Sequence, residues 1–272
     1  MPERAAEAAP KPAEAPARHE RPRSVNSTAD RAIDILLAFT SEKPVWSAAE
    51  IAQHFKMPRS TTYRYINTLK NCGLLAEEAS NLYRLGHKVL HLARVAKVHD
   101  PILRVAAPVL SELASIHGDT VLLHERVGHE VITLERLESR HPHTATMSQS
   151  RMLPWPAAAS AKVLLAFADP AEREEILSRT VPIRYTDKTL VTHKALLADL
   201  KTIARQGYCV GIEEFDEGAA GVAAPIFVDN TCTYAISLGG DSAKFHGKRL
   251  TEMVKHVTTA AARISKTLAG YG

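Results

Sequence analysis

A cluster of cationic and hydroxyl-bearing side chains within residues 59–67 is the part of this sequence best suited to contact nucleic acid. Between Ile51 and Ala76 the chain carries four Lys or Arg residues and no Asp or Glu. Cations neutralise phosphates, whereas hydroxyl and amide groups form hydrogen bonds with base edges. The side chains that share the cluster are Arg59, Ser60, Thr61, Tyr63, Arg64 and Asn67. A solvated helix with a few cations would have a similar composition, so the flanking elements must decide between the two interpretations.

Two short helices joined by a tight turn are predicted to position this cluster. Ser47 and Glu50 have the spacing of a capping box, in which the hydroxyl satisfies a free N–H of the first turn and the carboxylate reaches back to the cap. Pro58 suits the first turn of the second helix, and Gly73 fits its stop. The buried faces follow helical spacing: Ala48, Ile51, Ala52 and Phe55, then Thr62, Tyr65, Ile66 and Leu69. This order of elements presents the second helix to the DNA major groove.

A β-hairpin is predicted directly after the second helix. Residues 74–76 and 82–85 are short extended runs, and the polar segment 77–81 separates them. A helix-turn-helix followed by a hairpin is a winged helix. We expect the hairpin to close the small core and Arg84 to reach phosphate, and we add Ser47 to the candidate DNA contacts.

Length, charge and cysteine usage limit the remaining classes of protein. A chain of 272 residues is long enough for two domains, and its net charge of +4 is mild, so the basic character is local. Cys72, Cys209 and Cys232 lack metal-type or disulfide-type spacing, which favours a reducing cytoplasm. No apolar run approaches the ~20 residues of a membrane span, and no signal peptide is visible. We therefore expect a cytoplasmic protein without a membrane partner, cofactor or metal.

Three separated segments carry a resemblance to one known family. The segment that begins at Ser27 contains RAIDILLAF, EIAQHF, PRSTTYRYINTLKNCGLL and NLYRLGHKVLHLA. Residues 150–167 read SRMLPWPAAASAKVLLAF, and residues 207–241 read GYCVGIEEFDEGAAGVAAPIFVDNTCTYAISLGGD. In this order they resemble the DNA-binding domain, the effector-pocket segment and the second signature of the IclR family of bacterial transcription regulators. The resemblance covers all of the chain except its N-terminal tail.

The predicted fold class is α+β, with four segments along the chain. Residues 1–23, rich in Ala, Pro, Glu and Arg, are expected to be a disordered tail, and residues 24–86 a winged helix-turn-helix domain. Residues 87–100 are expected to form a linker helix, which Asp100-Pro101 interrupts because proline removes a helix hydrogen bond. Residues 101–272 alternate strands and helices, which indicates an antiparallel sheet with flanking helices. The resemblance implies that this effector-binding domain is GAF-like.

The first helix is predicted over residues 28–39. Its expected inner side consists of Ala29, Ala32, Ile33, Leu36 and Leu37. The resemblance implies that this helix also pairs two DNA-binding domains, so a homodimer or a dimer of dimers is expected. The tail of residues 1–23 is expected to be solvated. The alternative is that its last three arginines add weak, non-specific affinity for DNA.

An effector pocket is implied by the resemblance, between the segment matching residues 156–162 and the sheet matching residues 207–239. Small residues leave room there, and a helix N-terminus favours a carboxylate. Ala161 replaces a glycine that is usual in the family. Ile212 stands where members that bind glyoxylate or pyruvate commonly have an aspartate, and Gly221 where they have a cysteine.

These departures predict a larger and less polar pocket than a two- or three-carbon acid needs. We expect an aromatic or other hydrophobic carboxylate, with hydroxyls and free backbone N–H groups around the acid and apolar side chains around its body. The candidate residues are Met152, Leu153, Trp155, Ser160, Ala161, Ile212, Gly221, Ser237 and Gly239. The alternative is that they only pack the helix against the sheet, since pockets are mostly apolar.

Other charged or metal-ligating residues give weaker signals. Lys162, in the first turn of a helix, is expected to be solvated. Glu213 and Glu214 are adjacent on a strand and point to opposite faces, so we expect structural roles rather than an acid–base pair. His141 and His143 lack further metal ligands nearby.

The motifs together predict a ligand-responsive, DNA-binding regulator of a catabolic operon. We expect that this protein is not an enzyme. The expected partners are double-stranded DNA with a palindromic promoter site, a small-molecule carboxylate effector, further copies of the chain and, if the regulator is an activator, RNA polymerase. The alternative is a small-molecule-binding enzyme domain with an appended winged helix. The sequence contains no nucleophile elbow, phosphate loop or zinc-binding helix that would favour it.

Overall fold

The computed structural model describes residues 28–78, 81–138, 153 and 155–270. Its first elements are α1 (Thr28–Leu37), β1 (Val45–Ser47), α2 (Ala48–His54), α3 (Arg59–Asn71), β2 (Leu75–Glu77) and β3 (Leu82–Leu85). They are followed by α4 (His87–His99), α5 (Pro101–His117), β4 (Thr120–Val127) and β5 (Glu130–Leu137). The last elements are α6 (Ala159–Ala166), α7 (Pro170–Arg179), α8 (His193–Gln206), β6 (Cys209–Ile212), β7 (Ala219–Val228), β8 (Thr231–Asp241) and α9 (Gly247–Leu268). The predicted tail and Met152, His141 and His143 lie outside the described residues.

The N-terminal elements form the predicted winged helix-turn-helix. Strands β1, β3 and β2 pair in that order in an antiparallel sheet, so the predicted hairpin gains a third strand that the sequence pattern did not predict. The sheet and the three helices bury a common core that includes Trp46, Ile51, Ile66 and Tyr83. Burial of this apolar surface is the main force that holds so small a domain together.

Local capping groups set the ends of α2 and α3. The Ser47 hydroxyl accepts from the Glu50 N–H at 3.2 Å, and a Glu50 carboxylate oxygen accepts from the Ser47 N–H at 2.8 Å, which confirms the capping box. Hydrogen bonds from Lys43 and Ser47 lower the pKa of Glu50 to about 2, so the capping carboxylate is charged at neutral pH. Pro58 lies at the N-cap of α3, just before the predicted first turn, and Gly73 follows α3 with a φ of +72°.

Helix α1 presents only part of its predicted inner side to the core, and it ends at Leu37 rather than residue 39. Ile35 is the buried residue of this helix, and Ala32 and Leu36 pack against the same core, as predicted. Ala29 is exposed, and Ile33 and Leu37 are 46% and 58% exposed, so the predicted inner side is wrong for these three. Apolar side chains cover more of this short helix than a single packing face can bury, and one set therefore remains at the surface.

Helix α4 follows the winged helix, and none of its residues is buried. Its large apolar side chains Leu90, Leu92, Val95 and Val98 are all exposed. The helix breaks where the sequence predicts. The Asp100 carboxylate accepts from the Ile102 N–H at 3.0 Å and caps α5, whose first residue is Pro101.

The C-terminal elements form a sheet with helices on both faces, which confirms the α+β prediction. The strands pair in the order β5-β4-β8-β7-β6, and every pairing is antiparallel. Helices α5 and α9 cover one face, and α6, α7 and α8 cover the other. The sequence pattern did not predict β6 and α7. Within the described ranges, no helix has the length and apolar character needed to cross a membrane.

Gly86 gives the first testable prediction, because it lies against the backbone of the turn between α3 and β2. A Cβ at this position would lie 2.1 Å from the Gly73 carbonyl oxygen, and the Gly86 N–H donates to the Leu74 carbonyl at 2.8 Å. We expect Gly86→Ala to destabilise the winged helix by about 1–3 kcal/mol, because backbone atoms must move apart. Urea unfolding, combined with hydrogen exchange of the amides of residues 74–85, measures the effect.

Gly211→Ala is the matched control, since its added methyl would meet its nearest neighbour at an ordinary 3.5 Å. We expect this variant to stay close to the wild type. Equal stability of Gly86→Ala and the wild type would contradict the steric argument.

Candidate DNA-binding surface and effector pocket

Helix α3 separates its predicted DNA-binding and core residues onto two faces. Thr62, Tyr65, Ile66 and Leu69 are buried, as the helical spacing predicts. Arg59, Ser60, Tyr63, Arg64 and Asn67 are exposed, and Thr61 is half-buried at the boundary. Within the described part of the chain, no carboxylate pairs with the guanidinium of Arg59 or Arg64. These two cations are therefore available to neutralise phosphates on a surface without acidic side chains.

Ser47 and Arg84, the other two DNA-binding candidates, are engaged within the domain. Ser47 is occupied by the capping box with Glu50. The Arg84 guanidinium pairs with a Glu78 carboxylate oxygen at 3.1 Å and donates to the Leu85 carbonyl at 3.0 Å. Both side chains hold the wing and the start of α2 in place, and contact of either with DNA stays a prediction.

A cavity of about 450 Å³ opens between the sheet of the C-terminal domain and the start of α6. Five of the predicted effector contacts lie in its lining, namely Leu153, Ser160, Gly221, Ser237 and Gly239. The side chains of Leu122, Leu134, Phe215 and three consecutive alanines at the start of α6 supply further apolar wall. The structure thus brings together residues from both segments that the sequence singled out.

Three predicted contacts lie elsewhere, for simple geometric reasons. Ala161 follows Ser160 on α6 and is rotated by about 100°, so it packs in the core behind the helix. Ile212 follows Gly211 on a strand and therefore points away from the cavity that Gly211 lines. The Trp155 indole N–H donates to the His129 carbonyl at 2.6 Å, which holds the ring in the same core as Ala161.

His124, on the central strand β4, is a lining residue that the sequence reasoning missed. The side chain is 1% exposed, with Nε2 3.3 Å from the Ser237 hydroxyl and Nδ1 3.3 Å from the Thr133 hydroxyl. Burial lowers the pKa of His124 to about 3, so the imidazole is neutral at physiological pH. A neutral ring offers one donor and one acceptor, which suits a polar ligand group but adds no charge.

Charged side chains line the cavity as well, beside its apolar wall. Lys97 of α4 pairs with Glu135 of β5, with Nζ 3.0 Å from Oε2. Arg136 also lines the cavity and forms two hydrogen bonds with the Glu138 carboxylate, at 2.6 and 3.1 Å. Glu214 and Asp216 line the cavity beyond β6, at the opposite edge of the sheet.

Two family profiles match almost the whole described chain. One, described as "IclR helix-turn-helix domain", matches residues 28–79. The other, described as "Bacterial transcriptional regulator IclR C-terminal", matches residues 94–266. The chain belongs to the IclR family.

Similar IclR-family proteins cover nearly the full length of this chain. It is 30% identical over 254 residues to the HTH-type transcriptional regulator KdgR of Escherichia coli (strain K12), covering 93% of this chain and 95% of that protein. It is 28% identical over 247 residues to the HTH-type transcriptional regulator KipR of Bacillus subtilis (strain 168), covering 90% and 98%. The crystal structure of an IclR homolog complexed with 4-hydroxybenzoate from Microbacterium hydrocarbonoxydans has a TM-score of 0.75 and 26% identity, over 90% of this chain and 100% of that one.

Family membership decides between the two functional classes left open by the sequence. The chain is a DNA-binding transcriptional regulator with a ligand-binding C-terminal domain. The prediction that it is not an enzyme is confirmed, because its relatives are transcriptional regulators.

Lys162 of this IclR-family regulator is buried, and the prediction that it is solvated is wrong. Its side chain is 1% exposed, and its ammonium donates to Asp199 at 2.9 Å and to both Glu214 oxygens at 2.6 and 2.8 Å. Burial disfavours the charged form, but the neighbouring acidic groups outweigh it and raise the pKa of Lys162. Burial also raises the pKa of Glu214, against the pull of the ammonium. The short bidentate contact supports a charged pair.

Glu213 and Glu214 have structural roles, but the prediction that they lie on a strand is wrong, because β6 ends at Ile212 and both residues lie in the connection that follows it. Glu214 holds Lys162, and Glu213 accepts from Lys188, Ser242 and the Gly218 N–H. The connection between β6 and β7 is therefore tied to α6 and to the segment after β8. Since Glu214 lines the cavity, these contacts also fix one wall of the pocket.

The buried ion cluster gives the second prediction. We expect Lys162→Met to destabilise the C-terminal domain by about 3–5 kcal/mol, because Glu214 and Asp199 would share a site without a cation. Lys188→Met is the matched control: it removes the same charge from the exposed pair with Glu213, and we expect a much smaller effect. Urea unfolding of both variants measures the difference, and equal losses would contradict the role of the cluster.

Proposed function

We propose that this regulator controls a catabolic operon in response to an aromatic or other hydrophobic carboxylate. The observation that carries the proposal is the cavity of about 450 Å³, whose wall combines apolar side chains with the cations Lys97 and Arg136. This volume lies within the range of sites for small organic ligands. The hydroxyls of Ser160 and Ser237 are further donors for an acid. The bound 4-hydroxybenzoate of the relative with 26% identity supports the same ligand class.

On the DNA side, we propose that α3 enters the major groove of a palindromic promoter site. The exposed cationic and hydroxyl face of α3 supports this placement. Two recognition helices need two copies of the chain, and we propose a homodimer or a dimer of dimers in the cytoplasm. The exposed apolar residues of α1 and α4 support such pairing. An activator would in addition contact RNA polymerase.

Control of DNA binding requires that the effector favour one arrangement of the protein over another. A ligand with equal affinity for both arrangements shifts nothing, however tightly it binds. We propose that the effector changes how the C-terminal domains sit relative to α4, and through α4 the spacing of the two α3 helices against their half-sites.

The third prediction concerns Arg59 at the start of α3. We expect Arg59→Ala to lower affinity for the specific site by ~1–3 kcal/mol if the guanidinium reads a base, and to weaken binding uniformly across sequences if it meets only phosphate. Fluorescence anisotropy of the full-length protein with its upstream intergenic DNA and with random duplex separates the two cases. Lys194→Ala, an equal charge change on the exposed side of α8, controls for net charge. Unchanged binding of Arg59→Ala would remove this residue from the interface.

The fourth prediction tests the effector class. We expect benzoate and 4-hydroxybenzoate to raise the melting temperature of the full-length protein more than pyruvate or glyoxylate does, because the cavity exceeds the needs of the short acids. The neutral amides of both benzoates control for apolar binding alone. A larger stabilisation by the short keto-acids would overturn the aromatic-acid proposal and leave the DNA-binding function unaffected.

A further inference from the structure

Lys97 is the point at which the linker helix α4 reaches the effector cavity. It lies in the last turn of α4, and it is the residue of this helix that lines the cavity. Its ammonium contacts Glu135 of β5, with Nζ 3.0 Å from Oε2. Since none of the α4 residues is buried, this ion pair is a specific tie between the linker helix and the sensor sheet.

The tie is one that an incoming anion can break. Lys97 is 52% exposed and Glu135 is 33% exposed, and solvent-exposed pairs of this kind are weak. The second cation of the lining, Arg136, is more firmly held, because its planar guanidinium makes two hydrogen bonds with Glu138. Lys97 makes one such contact, on a flexible side chain, and can exchange it for another acceptor.

The distribution of charge across the sheet places an acidic ligand at this end of the cavity. Glu214 and Asp216 line the cavity beyond β6, at one edge of the sheet, whereas Lys97 reaches it beside β5 at the other edge. His124, on the central strand β4, is uncharged at neutral pH. At the β6 edge the carboxylates outnumber the one cation, Lys162, whereas at the β5 edge Lys97 and Arg136 are each paired with one glutamate. A carboxylate is therefore repelled less at the β5 edge, where it can take the place of a paired glutamate, and the apolar wall between the edges suits the rest of the molecule.

We propose that the carboxylate of the effector replaces Glu135 as the partner of Lys97. The linker helix itself then contributes a ligand-binding cation, and effector binding exchanges the contact of α4 with β5 for a contact of α4 with the ligand. Lys97 thereby sets the preference of the pocket for acids. Because Lys97 lies on α4, binding of the effector also changes the contacts of the helix that leads to the DNA-binding domain. This inference rests on the proposed function, in which the effector is a carboxylate.

If Glu135 and the ligand compete for Lys97, removing the charge of Lys97 and removing the charge of Glu135 should change the affinity for the acid in opposite directions. Removing the charge of Lys97 takes away the partner of the acid, whereas removing the charge of Glu135 frees Lys97 for it. An ion pair that only tethers α4 to β5 would instead give changes of the same sign, or none. The hydroxyls of Ser160 and Ser237, if they held the acid alone, would leave its affinity independent of Lys97.

The experiment is calorimetric titration of the full-length protein with benzoate and 4-hydroxybenzoate, each beside its neutral amide. We expect Lys97→Gln to weaken binding of the acids about tenfold, the value of one charge-assisted hydrogen bond, and to leave the amides unchanged. We expect Glu135→Gln to strengthen binding of the acids several-fold. Arg94→Gln, which removes a cation from the same helix away from the cavity, should behave as the wild type.

Each outcome bears on a separate claim. Weaker acid binding by both Lys97→Gln and Glu135→Gln, or no change in either, would overturn the exchange at Lys97 while the acid effector stands. Failure of the wild type to bind either acid would overturn the aromatic-acid effector and this inference with it. In the supporting case, anisotropy with promoter DNA should also show a smaller response of Lys97→Gln than of the wild type at saturating acid.

Discussion

The charge of Lys162 constrains the whole effector side of the C-terminal domain. An ammonium at this depth is stable only if acidic partners accompany it, since an unpaired buried charge costs several kcal/mol. Glu214 and Asp199 supply those partners, so α6, α8 and the connection after β6 must meet at one point. The same segments form part of the cavity wall, because Ser160 and Glu214 both line it. Neutralising this one cation therefore also fixes one wall of the pocket.

The cluster around Lys162 also contributes to a difference in charge between the two ends of the cavity. Glu214 satisfies Lys162 and still borders the cavity, so the β6 edge of the sheet remains unfavourable for an anion. Arg136 lies on β5 and Lys97 lies beside that strand, four strands away from β6. Between the two edges, Ser237 and the neutral His124 offer hydrogen bonds without charge. A rigid ligand with one acidic end suits this asymmetry better than a short acid, whose single charged group cannot use both halves of the cavity.

Sequence reasoning succeeded where structure is decided within a few residues and failed where partners lie far apart in the chain. The capping box at Ser47 and the stop at Gly73 are local, and both were predictable. Lys162 and Glu214 are 52 residues apart in the chain, and His124 and Ser237 are 113 residues apart. No rule of sequence spacing predicts either contact. Ala161 and Ile212 are a different case. Helical rotation and strand alternation, applied to their neighbours Ser160 and Gly211, would have placed both outside the cavity.

The exposed state of α4 has a physical meaning for signalling. A helix of this length without buried residues gains little from tertiary packing and is only marginally stable by itself. Its row of exposed apolar side chains would gain stability from a second copy of the helix, and pairing would make the two linkers one mechanical unit. An exchange of partners at Lys97 would then act on a stiff pair of helices rather than on a fraying end. Under that arrangement, even a weak ion pair can bias the spacing of the two recognition helices, because α4 buries no residue against the rest of its own chain.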